Sequence, residues 1–234
     1  MILLRLSGHS GAGKSRLTAA LRSRGISSPR AVLYTSRAPR EGEVHGRDYY
    51  FLSRGAIAGL PAGHFLVGPV REMLQAIDLA QLEADLRTND LVLIEVFDRL
   101  WPALKEAMLL RLGDERESLQ TASVFMTAVD PRRLEGMSES DCDQCIRERV
   151  RSILDNRGKD PGKTVARCDS AVREVRAAIG REGIVPYDRV FHSAPEGPDG
   201  EDEWTRESEP VGRAKQTLSD FIAYLESLRD TAGK

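Results

Sequence analysis

The apolar residues of this chain follow two patterns along its length. Continuous apolar runs, typical of strands buried in a parallel sheet, lie at residues 1–6, 31–34, 90–98 and 123–129. Between these runs, apolar residues recur every three or four positions, which predicts helices at residues 16–24, 138–154 and 218–228. Strands and helices therefore alternate along the chain.

Residues 8–15 lie between the first predicted strand and the first predicted helix. They read Gly-His-Ser-Gly-Ala-Gly-Lys-Ser, and the spacing G-x-x-x-x-G-K-[ST] in this context is typical of a phosphate-binding P-loop. We expect Lys14 to reach the terminal phosphates of a nucleoside triphosphate and the Ser15 hydroxyl to ligate Mg²⁺. The backbone N–H groups expected around the phosphates belong to Gly8, Ser10, Gly11, Ala12 and Gly13. The alternative is a glycine-rich turn with an incidental lysine.

Composition and charge narrow the class of protein. The 234 residues are 41% hydrophobic and carry a formal net charge of −2, which gives no reason to expect a nucleic-acid partner. No apolar run approaches the roughly 18 residues that span a bilayer. The N-terminus enters the first strand without a signal-peptide pattern, and three cysteines do not form a disulfide framework. We therefore expect a cytoplasmic protein with no membrane partner.

A second candidate anion site follows the predicted strand at 31–34. Arg37 and Arg40 are three residues apart beside a proline, and Tyr49 follows a glycine-punctuated turn. Guanidinium groups bind phosphate bidentately, and a tyrosine hydroxyl can donate a further hydrogen bond. The alternative for these arginines is a solvated surface pair.

Residues 35–53 resemble the acceptor-binding segment of the guanylate kinase family. The family pattern Thr-Thr-Arg-x-x-Arg-x-Gly-Glu-x-x-Gly-x-Asp-Tyr-x-Phe matches this segment densely. The resemblance implies that Arg37, Arg40 and Tyr49 hold the phosphate of an acceptor nucleotide, and Glu43 matches the family's glutamate. Donor and acceptor phosphate sites in one chain imply phosphoryl transfer.

The positions that recognise guanine in the family differ in this chain. The family's serine, glutamate and aspartate fall on Leu33, Val67 and Phe97, and its Gly-Asn-Tyr-Tyr-Gly run falls at residues 73–77 without a tyrosine. A site without these hydrogen-bonding groups has lost the physical basis of guanine selectivity. The resemblance therefore predicts the family's fold and leaves the acceptor open.

Two acidic residues near the end of the run at 90–98 are candidates for a Walker B-type carboxylate. Glu95 aligns best with the family's acidic residue, and we expect it to contribute to the acceptor site and to orient the Mg²⁺ water shell. Asp98 is the second candidate. Its alternative role is to cap the helix predicted at 99–112.

The charged helix at 138–154 resembles the family's lid. Arg149 matches the arginine that the lid supplies to ATP, and Arg147 and Arg151 are close enough in sequence to assist. The alternative is a solvated basic face paired with nearby glutamates. In the same region, Cys142 and Cys145 have a C-x-x-C spacing, and Cys168 and His192 would complete a zinc set; reduced thiols are the other interpretation.

The resemblance thus predicts a three-layer α/β P-loop kinase fold with a parallel sheet. The predicted core covers residues 1–34, 88–135 and 184–234, the inserted acceptor lobe 35–87 and the helical lid 136–183. The expected activity is transfer of the ATP γ-phosphate, with Mg²⁺, to a nucleoside monophosphate or a related phosphorylated small molecule. Lys14, Arg37 and Arg149 are the expected catalytic residues. The alternative is a non-catalytic guanylate kinase-like module that binds nucleotides or proteins.

Overall fold

The continuous apolar runs form strands and the periodic stretches form helices in a computed structural model of the chain. The structure describes residues 1–26, 30–40, 42–70, 72–156, 161–181, 187–193, 204 and 209–232. The strands are β1 (Ile2–Gly8), β2 (Tyr34–Thr35), β3 (Tyr50–Phe51), β4 (Phe65–Val70), β5 (Met73–Asp78), β6 (Leu91–Ile94), β7 (Gln120–Thr127) and β8 (Arg189–His192). The helices are α1 (Lys14–Ser23), α2 (Arg54–Ala58), α3 (Leu79–Thr88), α4 (Trp101–Leu112), α5 (Pro131–Leu134), α6 (Glu139–Asn156), α7 (Pro161–Ala178) and α8 (Gly212–Ala232).

The chain divides into two units, and each is described by itself. The first unit comprises Met1–Arg5 and Ser28–Ala122, and the second comprises Leu6–Ser27 and Ser123–Lys234. In the first unit, the start of β1 pairs in parallel with β6, with Ile2 opposite Leu91. A second sheet in the same unit has the order β3-β2-β5-β4.

The second unit carries the loop that follows β1. A Cβ built on Gly8 would lie 2.5 Å from the carbonyl oxygen of Met126, so the end of β1 lies directly beside β7. Strand β7 pairs in parallel with β8. Buried apolar residues of β7, α6 and α7, with Phe125 and Ile146 among them, form one hydrophobic cluster.

The observed elements differ from the predicted ones mainly at strand ends. The strand predicted at 31–34 begins only at Tyr34, because the residues before it contact β6 through one hydrogen bond, from Ala31 N to Leu93 O (3.0 Å). The run at 90–98 ends as a strand at Ile94, so Glu95 directly follows β6. Within the predicted lid range, residues 157–160 and 182–183 lie outside the described part of the chain. Among the described residues, no helix is long and apolar enough to cross a membrane.

A glycine in β4 packs against the short 3₁₀ turn that precedes α4. A Cβ on Gly68 would lie 2.3 Å from Leu100 Cδ2, whereas a Cβ on Gly55 in α2 would meet no heavy atom within 4 Å. We expect Gly68→Ala to lower the free energy of unfolding by about 1–3 kcal/mol, because the extra methyl displaces a buried leucine.

Gly55→Ala is the matched control and should leave the free energy of unfolding unchanged or slightly higher, since alanine favours helix. Urea unfolding of both variants measures the difference. Equal stability of the two variants would contradict the close contact between β4 and the turn.

Candidate functional site

The loop between β1 and α1 has a backbone that side chains would obstruct. Gly8 (φ 147°) and Gly13 (φ 87°) have positive φ values that L-residues rarely adopt. A Cβ on Gly11 would lie 2.8 Å from Ile153 Cγ2, so the loop also packs tightly against α6. Gly13 is the N-cap residue of α1 and makes no side-chain capping bond. The glycines therefore allow the compact backbone that a P-loop motif forms around phosphate.

The Lys14 side chain contacts the backbone of this loop. Its Nζ donates to the carbonyl oxygens of Gly8 (2.6 Å) and His9 (3.4 Å). Ser15, in the first turn of α1, is exposed, so its hydroxyl is accessible to a metal ion. The residues present fit a nucleoside triphosphate with Mg²⁺. Among the described residues, no group of three or more His, Cys, Asp or Glu side chains has an arrangement that would hold a metal ion by itself.

His9 joins the loop to the end of β7. Its Nε2 accepts a hydrogen bond from the backbone N–H of Ala128 (2.9 Å), so the proton of the neutral ring is on Nδ1, which donates to Ser10 O (2.9 Å). The imidazole is buried, and this burial lowers the pKa of His9 to about 4. Nothing in the P-loop spacing indicates this contact, because the second position of the motif accepts any residue.

Arg149 contacts Ala128 at the carboxyl end of β7, the residue that His9 also contacts. Its Nε donates to Ala128 O (3.3 Å), so the predicted lid arginine lies beside the loop within the second unit. Arg147 instead forms ion pairs with Asp143 (3.9 Å) and Asp169 (3.1 Å), which are aspartates and not the glutamates that the alternative expected. The helix therefore presents one arginine towards the loop and another along its surface.

Trp204 is a further neighbour of the loop that the motif does not reveal. Its Nε1–H donates to Ser193 Oγ (2.9 Å), and its carbonyl accepts from Arg16 Nη1 (2.6 Å). A Cβ on Gly13 would lie 3.1 Å from this indole nitrogen and 3.2 Å from Ser193 Oγ. The indole is 2% exposed. It therefore closes the space behind Gly13.

In the first unit, Arg37 and Glu43 form a two-pronged ion pair. Arg37 Nη1 and Nη2 donate to the two carboxylate oxygens of Glu43 at 2.6 Å each, and Glu43 Oε2 also accepts from Arg40 N (2.7 Å). The Arg37 guanidinium holds the pKa of Glu43 below its usual value, against the effect of burial. The segment is therefore preordered by its own charges, with the Arg40 side chain exposed.

Tyr49 lies between the predicted segment and the end of β6. Arg37 Cζ is 4.9 Å from the centre of its ring, and Arg30 Cζ is 5.8 Å from the same point. Glu95 Oε1 is 3.4 Å from Arg30 Nε. Burial first, and then the Glu95 carboxylate, raises the pKa of Tyr49, so its hydroxyl keeps the proton that it can donate. The structure thus brings Arg37, Glu43, Tyr49 and Glu95 together, and it adds Arg30.

Asp98, the second carboxylate candidate, has a different partner. Its Oδ1 is 3.2 Å from Nη1 of Arg5, a fully buried arginine of β1 whose Cζ is 5.4 Å from the Trp101 ring centre. The residue lies within a 3₁₀ turn (Asp98–Leu100), and neither this turn nor α4 has a side-chain cap at its start. Asp98 therefore compensates a buried charge, and the capping role predicted for it is wrong.

The three positions aligned with guanine recognition carry apolar side chains. Leu33 is 2% exposed, and its carbonyl accepts the N–H of Tyr50 (2.9 Å). Val67 pairs with Ala76 across β4 and β5, and Phe97 follows β6. None of these side chains has a hydrogen-bonding group to offer a base.

Comparison with known proteins decides the family. The family model described as "Guanylate kinase" matches residues 1–67. The guanylate kinase of Lactobacillus acidophilus is 30% identical over 164 residues, which cover 62% of this chain and 79% of that protein. The chain belongs to the guanylate kinase family. The predicted resemblance is therefore confirmed.

Two further comparisons show how much of the chain resembles guanylate kinases. The guanylate kinase of Cereibacter sphaeroides is 52% identical over 66 residues, so the chain spans 31% of that relative's length. The crystal structure of guanylate kinase from Anaplasma phagocytophilum aligns with this chain at 18% identity and a TM-score of 0.52. The alignment covers 97% of this chain and 85% of that protein's chain. This likeness confirms the predicted α/β P-loop kinase fold. The high identity lies in a short aligned region.

The buried imidazole predicts a pH dependence of stability. Because the folded pKa of His9 is about 4 and the unfolded value is about 6.5, His9 contributes fully to stability above pH 6.5 and less as the pH falls towards 4. Between pH 7 and pH 5 this should amount to about 2 kcal/mol in the free energy of unfolding. His9→Gln, which keeps a donor and an acceptor, should reduce that loss in urea titrations at both pH values.

The exposed imidazole of His64 provides the matched control. His64→Gln should retain the loss of stability measured for the unaltered chain. Burial also lowers the pKa of His192, and both variants keep this residue, so their comparison isolates His9. An undiminished loss in His9→Gln would show that the imidazole is not held neutral by its burial.

Proposed function

We propose that the chain is an ATP-dependent phosphotransferase that transfers the γ-phosphate of ATP to a phosphate-bearing acceptor. A nucleoside monophosphate is the first choice of acceptor, and a related phosphorylated small molecule is the second. The observation that carries the proposal is the intact donor loop, in which Lys14 Nζ donates to Gly8 O (2.6 Å) at the N-terminus of α1. A loop that retains this lysine supports transfer rather than binding alone.

On the donor side, the roles follow from the groups available. The backbone N–H groups of the loop bind phosphate oxygens, Lys14 approaches the terminal phosphates, and Ser15 supplies an oxygen ligand to Mg²⁺. Bound Mg²⁺ would neutralise charge on the phosphate oxygens. Arg149, joined to Ala128 O, adds positive charge where the transferring group becomes more negative.

On the acceptor side, Arg37, Arg40 and Tyr49 are proposed to bind the acceptor phosphate. An oxygen of that phosphate forms a bond to the γ-phosphorus, and the bond from this phosphorus to the bridging oxygen breaks, which releases ADP. Glu43 orients Arg37 through both carboxylate oxygens, and Glu95 is proposed to orient the metal's water shell. Positioning and charge supply most of the catalysis in such transfers.

Loss of the loop lysine tests the proposal directly. Lys14→Ala should reduce kcat by about 100-fold or more in a coupled assay of ADP release, because the variant lacks the charge that stabilises the transferring group. Lys105→Ala removes a lysine that contacts the Trp101 ring instead, and it should retain full activity. Equal activity of Lys14→Ala and the unaltered chain would refute the proposed role of the loop.

The choice of acceptor base provides a second test. Because Leu33, Val67 and Phe97 present no hydrogen-bonding side chains, kcat/KM should differ by less than about tenfold among GMP, AMP, CMP and UMP. Val67→Glu, which restores a carboxylate, should raise the relative kcat/KM for GMP. A preference for GMP of about 1,000-fold in the unaltered chain would show that other groups recognise guanine. Tight ATP binding without transfer to any acceptor would favour the non-catalytic binding module.

A further inference from the structure

Arg30 lies outside the segment that resembles the family's acceptor site, which begins at Thr35. A single parallel bridge to Leu93 of β6 holds its backbone in the first unit. The side chain is 24% exposed, so it is neither buried in the core nor fully solvated. Its Cζ lies 5.8 Å from the centre of the Tyr49 ring, so Arg30 adds a second arginine beside this ring.

The donors of Arg30 are used differently from those of Arg37. Both Nη nitrogens of Arg37 are taken by the Glu43 carboxylate, and Nη1 also donates to Ala38 O (3.0 Å). Arg30 forms its ion pair with Glu95 through Nε, at 3.4 Å. Within the ranges that the structure describes, neither Nη nitrogen of Arg30 has a hydrogen-bond partner. Arg30 therefore retains the planar pair of donors that binds a phosphate bidentately.

We propose that Arg30 binds the acceptor's phosphate together with Tyr49. The inference rests on the proposed function, in which the acceptor carries a phosphate. Glu95 orients the guanidinium through Nε and leaves its Nη donors for the phosphate oxygens. An acceptor of this class is a phosphomonoester.

Isothermal titration calorimetry tests the inference without ATP, by measuring the affinity of the chain for two phosphomonoesters, GMP and ribose 5-phosphate. Arg30→Ala should weaken binding of both probes by about 10- to 100-fold, because a charged hydrogen-bonding partner is lost. Arg30→Lys keeps the charge without the planar donor pair and should give an intermediate affinity. Arg87→Ala removes a surface arginine of α3 that pairs with Glu83 and Glu115, and it should bind both probes as the unaltered chain does.

Kinetics separate a role in acceptor binding from a structural role. With the best acceptor of the nucleotide panel, Arg30→Ala should raise the acceptor KM by a similar factor while the KM for ATP stays unchanged. A fold defect would instead alter both constants and lower the thermal midpoint. If the alanine variant does not fold, Arg30→Gln, which preserves most of the side chain's length, takes its place beside Arg30→Lys.

The outcomes distinguish this inference from the proposed function. Probe binding that depends on Arg30, in a chain that transfers phosphate to no acceptor, would support the inference and overturn the proposed activity. Phosphoryl transfer with an acceptor KM that is unchanged in Arg30→Ala would overturn the inference and leave the activity standing. Failure of the unaltered chain to bind either probe at millimolar concentration would also overturn the assignment of Arg30.

Discussion

The donor loop depends on Ala128, a single residue at the end of β7. Its N–H donates to the buried His9 ring of the loop, and its carbonyl accepts from Arg149 of α6. Because the His9 nitrogen must accept that hydrogen bond, the imidazole stays neutral, and burial keeps it so. The loop and the arginine proposed to act on the same phosphates are therefore positioned by one residue whose side chain is only a methyl group.

In the first unit, two arginines of the proposed acceptor site already have carboxylate partners. Glu43 takes both Nη nitrogens of Arg37, whereas the ion pair of Glu95 with Arg30 is formed at Nε, 3.4 Å from Oε1. A carboxylate that saturates a guanidinium fixes its orientation, and one that occupies an edge leaves donors for a ligand. In the proposed acceptor site, Glu43 therefore fixes the orientation of Arg37, and Arg30 supplies further Nη donors for the same phosphate.

Sequence separation explains which features the sequence could predict. The P-loop is a local pattern, so its spacing identified it before the fold was known, and the resemblance singled out Arg37 and Glu43 without revealing their ion pair. Glu95 could be assigned to the end of a strand because one apolar run ends there. The partners of His9 and Asp98 could not be predicted, since they lie 119 and 93 residues away. Arg30 had no motif, and only its contacts with Tyr49 and Glu95 distinguish it from any surface arginine.

The indole behind Gly13 has a consequence for the order in which the chain is made. Arg16 is translated 188 residues before Trp204, whose carbonyl accepts its hydrogen bond. Ser193, which accepts the indole N–H, also follows the loop by a long stretch of chain. Chains grow towards the C-terminus, so this contact can form only after the intervening residues have been made. The most recognisable motif of the protein is thus translated well before the indole that packs behind it.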